Sequence, residues 1–144
     1  MIYFDSSAIV KRYMEEAGSD NVNKMVNESS IIATSKLTYP EIVSAFTRKR
    51  RAGDISKDNY VKALNEFEKE WDYFFVIQFH DEFFSTIKKL IERHSLRAAD
   101  SIHLASALWL KQSVKENITF VASDVILLNA ARTEKLSVAN PQDF

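Results

Sequence analysis

Short apolar runs alternate along this chain with longer stretches in which apolar residues recur every three or four positions, the signatures of strands and of amphipathic helices. Ile2-Tyr3-Phe4 predicts a first strand, and Asp5-Ser6-Ser7 reads as the start of a helix over residues 6 to 15. Gly18 punctuates, Ser19 is placed to cap a helix reaching about Glu28, and Ile31 to Thr34 predicts a second strand. From Thr38 a helix carries Ile42, Val43, Ala45 and Phe46 on one face. It runs out in Arg48-Lys49-Arg50-Arg51-Ala52-Gly53, the basic last turn and trailing glycine that a helix C-terminus favours. Ser56 caps a further helix, with Tyr60, Leu64, Phe67 and Trp71 at helical spacing. Tyr73 to Phe79 is almost continuously apolar and predicts a buried strand. Asp81 opens a helix whose apolar face is Phe84, Ile87, Leu90 and Ile91, and Ala98 to Leu110 predicts another, dense in small residues. Ile118 to Ala122 predicts a strand, Asp124 to Arg132 a short helix, and Leu136 to Ala139 a last strand.

Strands alternating with helices from end to end define an α/β fold with a mainly parallel central sheet. The 144 residues contain no linker, repeat or low-complexity segment, so one domain over residues 1–144 is expected. Two composition counts narrow the chemistry. With Cys at 0, disulfides, thiol catalysis and cysteine zinc sites are all excluded. With Gly at 2, Gly18 and Gly53, no phosphate-cradling loop, dinucleotide fingerprint or nucleophile elbow can be built. The net charge of −1 argues against an indiscriminate polycation but allows local patches of either sign. No apolar run approaches the roughly 18 residues of a membrane span, and a cytoplasmic location is expected.

The informative pattern is where the carboxylates fall. Asp5, Glu41, Asp100 and Asp124 all sit at or just inside predicted helix starts, and Asp5 and Asp124 directly follow strands. In a parallel sheet the carboxyl ends of the strands share one edge, where such folds build their sites, so the four acids can converge there. Each also has a purely local explanation. Asp5 and Asp124 suit N-caps, Thr38-Tyr39-Pro40-Glu41 fits a capping box, and Asp100 suits the positive end of a helix dipole. A converging set, unlike four separate caps, needs a compensating cation. Mg²⁺ or Mn²⁺ serves, being hard and oxygen-seeking, and two such ions about 4 Å apart suit hydrolysis of a phosphodiester.

Four segments give the sequence a family likeness. Met1-Ile-Tyr-Phe-Asp5-Ser-Ser-Ala8 resembles the opening of PIN-domain proteins, Thr38-Tyr-Pro-Glu41-Ile-Val-Ser-Ala45 their Glu-bearing helix, and Phe120-Val-Ala-Ser-Asp124 their last acidic segment. Leu96-Arg-Ala-Ala-Asp100-Ser-Ile-His-Leu-Ala105-Ser-Ala107 is the most specific match, and the four are collinear over nearly the whole chain. The resemblance implies the three-layer PIN-like fold. At this size it implies the ribonuclease toxin of a type II toxin-antitoxin pair, the VapC kind. It further implies that Asp5, Glu41, Asp100 and Asp124 form the acidic metal-binding quartet, with Asp5 and Asp100 as core ligands. Ser6 stands at a position that contacts the site or its substrate, and Ser123 is given no role. A homodimer, a cognate antitoxin and an RNA substrate follow from the same likeness. A housekeeping PIN nuclease, or a binding module whose acids are only caps, is the alternative.

The remaining candidates are cationic or aromatic. His103, one helical turn from Asp100, is expected to be hydrogen-bonded beside the site, because no matching Glu-x-x-His exists for a di-iron centre. Arg48 and Arg97 are candidate RNA contacts, which Lys11 and Arg12 extend if they face the same cleft; a solvated helix end is the competing reading of the Arg48–Arg51 run. The aromatics from Phe67 to Phe84 read mainly as core.

Overall fold

The computed structural model describes residues 1–143; Phe144, the final residue of the expected 1–144 unit, lies outside the described residues. Strands β1 (Ile2–Phe4), β2 (Ile32–Ser35), β3 (Phe75–Ile77), β4 (Thr119–Val121) and β5 (Ser137–Ala139) form one sheet in the order β3-β2-β1-β4-β5. Every pairing is parallel. The helices are α1 (Ser6–Ile9), α2 (Ser19–Glu28), α3 (Thr38–Arg51), α4 (Lys57–Trp71), α5 (Phe84–His94), α6 (Ala98–Val114) and α7 (Val125–Thr133).

Alternation along the strands divides the core in two. Tyr3, Ala33, Phe120 and Ala122 face one side, where Leu90, Leu104, Leu110 and Leu127 of α5, α6 and α7 cover them. Phe4, Ile32 and Val121 face the other, under Ile9, Val22, Ile42, Phe46 and Phe67 of α1 to α4. This is the period of two that a pleated strand imposes, with both faces buried as a parallel sheet requires. Chain order reverses at β1, whose neighbours are β2 and β4. The crevice at the carboxyl ends of β1 and β4 is therefore the switch point where such sheets bind ligands.

Several local expectations change. The run from Tyr73 to Phe79 yields an edge strand, not a buried one: β3 is outermost, Tyr73 is 88% exposed, and Phe75 and Phe79 are half exposed. The helix expected over residues 6 to 15 lasts one turn and tightens into a 3-10 turn at Val10–Arg12. Thr38 is not a cap. Leu37 precedes the helix, and the Thr38 hydroxyl pairs instead with Thr34 Oγ1 at 2.7 Å. Thr34 donates to the Phe4 carbonyl at 2.7 Å, so buried hydroxyls tie α3 to the end of β1. Ser19 lies inside α2 behind Gly18, its hydroxyl donating to the Met14 carbonyl at 3.1 Å. Helix α6 runs four residues past its expected end and stops at Lys115, which takes a left-handed φ of 55°.

Gly18 is required twice over. Its φ is +95°, and a Cβ there would lie 3.0 Å from the Pro141 Cβ and 3.1 Å from the Pro141 carbonyl. Gly53, past the end of α3, has φ +79° with open space around it. Gly18→Ala is expected to lose about 2–3 kcal/mol in urea unfolding, and Gly53→Ala about 1 kcal/mol, because only the first adds a clash to the backbone strain. Equal losses would remove the Pro141 contact from the account.

Candidate active site

The four acids arrive at one edge of the sheet by three routes. Asp5 directly follows β1 and Asp124 follows β4; the two strands are paired in register, Phe4 opposite Val121, and the Asp5 amide donates to the Val121 carbonyl at 3.1 Å. Glu41 lies in the first turn of α3, just beyond β2, and Asp100 in the first turn of α6. The capping readings of Asp5 and Asp124 are also correct: each accepts from a backbone N–H of its helix, Ala8 and Leu127, at 3.0 Å. Capping and convergence coexist, since a cap fixes a carboxylate at the strand end where a site needs it.

Asp5 is the most constrained member. It is 3% exposed. The Ser7 hydroxyl shares its proton between the two Asp5 oxygens at 2.8 and 2.9 Å, and the Ser123 amide donates to Ser7 Oγ at 3.3 Å. Burial nonetheless dominates and pushes the Asp5 carboxyl up from 3.8 to about 6; His103, Ser7 and the Ala8 amide pull it down, and Asp100 pushes it up. Asp100 is raised too, by burial first, with Arg97 lowering it and Asp124 raising it. These carboxylates sense one another, and the protein does not fully neutralise them.

Among the described residues, no three acidic or histidine side chains come together closely enough to hold a metal ion as they stand. A cation of the protein itself lies between two of them: Arg97 Nε is 3.6 Å from Asp100 Oδ2, and Arg97 Nη2 is 3.9 Å from Asp124 Oδ2. Arg97 is 82% exposed, so this contact is weak and replaceable. The donor set still fits a hard divalent ion, being all oxygen with one carboxylate desolvated. Ser123 Oγ adds to the fit, because it is buried at the cleft wall without a hydrogen-bond partner among the described residues.

Beside the acids opens a cleft of about 630 Å³ whose walls include Ser6, Ser7, Lys11, Glu41, Arg48 and Ser123. Ser6 and Arg48 both line this cleft, and Arg48 Nη1 donates to Ser44 Oγ at 2.7 Å. Lys11 reaches the same cleft but is paired with Glu16 at 2.9 Å. Arg12 does not. It turns to α4, where Nε and Nη2 grip Glu70 at 3.1 and 3.0 Å, so its proposed phosphate role is withdrawn. His103 is beside the site as expected, its Nε2 2.7 Å from Glu41 Oε1 and its Nδ1 2.8 Å from the Tyr3 hydroxyl. Sequence reading missed Tyr3, Ser7 and Ser123. Tyr3 looked like any strand aromatic, and nothing in Asp5-Ser6-Ser7 says which serine turns back to the aspartate.

The sequence matches the PIN domain family over residues 2–133. The chain belongs to that family. Two relatives from Mycobacterium tuberculosis, named Ribonuclease VapC45 and Ribonuclease VapC49, are each 32% identical to it over 112 residues, covering 75% of this chain and 75% of theirs. The fold is similar to that of FitAcB from Neisseria gonorrhoeae, with a TM-score of 0.68, 17% identity and full coverage of both chains. It is similar also to FitAB bound to a DNA fragment, with a TM-score of 0.74, 15% identity, and coverage of 100% of this chain and 97% of that one. No helix among the described residues is long and apolar enough to cross a membrane.

The raised Asp5 carboxyl gives a prediction of definite sign. Its native form holds a proton more tightly than its unfolded form, so its contribution to stability is fully present below pH 3.8 and is lost as pH rises through about 6. At pH 7.5 in a chelator, Asp5→Asn should therefore be more stable than the parent, by on the order of 3 kcal/mol. The gap should close between pH 6 and 4 in thermal melts. A variant less stable at both pH values would show that Asp5 carries no such burial cost.

Proposed function

We propose that the protein is a divalent-metal-dependent endoribonuclease and the toxin partner in a type II toxin-antitoxin pair. The observation that supports this reading is the placing of Asp5 and Asp124 just past the ends of β1 and β4, and of Glu41 and Asp100 in the first turns of α3 and α6, with Asp5 buried. Membership of the PIN domain family supports it, as do relatives named as ribonucleases and a similar fold in a structure titled a toxin-antitoxin complex from Klebsiella pneumoniae.

In this reading Asp5 and Asp100 are the core ligands of Mg²⁺ or Mn²⁺, and Asp124 and Glu41 complete the set. A divalent cation bound among these oxygens supplies the positive charge that activates water for attack on phosphorus and stabilises the departing oxygen. The chain's own residues do the rest. Arg48, at the basic end of α3, and Ser6 face the cleft and would bind the RNA backbone; Arg97, exposed and only loosely paired with Asp100 and Asp124, would be free to meet a phosphate. Ser7 and the Ala8 amide hold Asp5 in a single orientation. The antitoxin inhibits by sending a cationic side chain into the acidic cleft, with the same charge logic that Arg97 illustrates.

The reading includes a homodimer. Phe79, Phe84, Ile87 and Ile91 line an apolar groove with Ala98 and Ile102, and Phe84 is 53% exposed. Lys88 and Glu92 on its rim, 3.7 Å apart, carry opposite charges that a two-fold axis would set against their counterparts. Phe84→Glu should convert a dimer to a monomer in sedimentation velocity; a parent that sediments as a monomer at micromolar concentration would end this part of the reading.

The central test is cleavage. Purified protein freed of any antitoxin should cut RNA only with Mg²⁺ or Mn²⁺, and Asp100→Asn should lower the rate by at least about 100-fold, with melting and circular dichroism showing an intact fold. Full activity in Asp100→Asn, or cleavage in a chelator, would refute the assignment.

A further inference from the structure

We propose that the buried pair Tyr3 and His103 positions Glu41, holding it by one carboxylate oxygen so that it enters the site through the other. The proposal rests on the placing of Glu41 in the metal-binding set above. His103 is 1% exposed in α6, and its Nε2 lies 2.7 Å from Glu41 Oε1. That is the one hydrogen bond to the Glu41 side chain among the described residues, so Oε2 remains for a ligand.

The direction of the chain of bonds follows from the carboxylate, which accepts and does not donate, so the 2.7 Å contact makes His103 Nε2 the donor to Glu41 Oε1. In the neutral ring Nδ1 is then the acceptor, and the wholly buried Tyr3 hydroxyl, 2.8 Å away, donates to it. The Tyr3 ring is itself fixed. It stacks on Phe120 at 5.4 Å and 6°, meets His103 edge-on at 6.0 Å and 75°, and Tyr3 and Phe120 are paired across β1 and β4. A rigid column thus runs from the sheet through Tyr3 and His103 to Glu41. A free glutamate would sample many rotamers, and the column removes that freedom before any ligand arrives.

Core packing alone would also bury these rings, so the test must separate the two roles. Mn²⁺ binding to the purified, partner-free protein is followed by electron paramagnetic resonance, with RNA cleavage measured in parallel. His103→Leu should weaken Mn²⁺ binding by about 10- to 100-fold, the usual cost of removing a group that orients a ligand. Tyr3→Phe, which keeps the ring and its stacking, should weaken it in the same sense by a few-fold without lowering the melting temperature appreciably. His103→Gln restores an N–H donor and should recover part of the loss. The decisive comparison is in a Glu41→Ala background, where His103→Leu should cost nothing further. Losses that add in that background, or unchanged binding in both His103→Leu and Tyr3→Phe, would overturn the proposal. So would a Glu41→Ala protein that binds Mn²⁺ like the parent. The expected binding pattern without cleavage of any RNA would support the positioning and refute the ribonuclease reading, so the two failures are distinguishable.

Discussion

The buried carboxylate at the end of the central strand sets the terms for everything around it. Asp5 is tied to its strand neighbour through the Val121 carbonyl, to its own helix through the Ala8 amide, and to the β4–α7 loop through Ser7 and the Ser123 amide. Those bonds hold it in place but do not offset the loss of water, since its pKa stays raised to about 6. A sheet that sacrificed nothing would put an apolar side chain there. The cost becomes intelligible if a cation completes the balance, because the same desolvation that destabilises the lone carboxylate strengthens each oxygen's attraction for a positive charge.

Topology explains why three other acids share this position. A parallel sheet brings strand ends to one side, and the reversal of chain order between β2 and β4 leaves a crevice at β1 into which following helices project their first turns. Asp124 needs only the β4 pairing, whereas Glu41 needs α3 to start at the right depth. Buried hydroxyls supply that depth: Thr34 joins the Phe4 carbonyl to Thr38, three residues before Glu41. The helix that bears Glu41 is thereby registered to the strand that bears Asp5.

The alternation of elements and the acidic positions were legible in the sequence because both follow from local rules, hydrophobic period and helix-start chemistry. What was not legible depended on long-range partners. The run from Tyr73 to Phe79 reads as buried from composition, yet strand order places β3 at the edge, and order is a property of the whole chain. The end of α6 was misjudged because Lys115, not glycine, takes the left-handed residue after it. Thr38 looked like a cap until Thr34, four residues earlier, claimed its hydroxyl. Tyr3 and His103, separated by 100 positions, meet only because α6 packs on the face of the sheet that Tyr3 points to.

The charge balance of the site follows from how differently its cations are held. Arg12 is clamped to Glu70 by two bonds and Lys11 is buried against Glu16, so both are spent on the scaffold. Arg97 spans Asp100 and Asp124 at 3.6 and 3.9 Å from an exposed position, contacts too long and too wet to be worth much. Replacing Arg97 there costs little, while leaving the pair without any counter-charge costs more because Asp100 already sits above its ordinary range. A site so arranged exchanges one positive group for another at small penalty. On the proposed reading, a metal ion and the cationic side chain of a protein inhibitor would compete for the same place on electrostatic grounds alone.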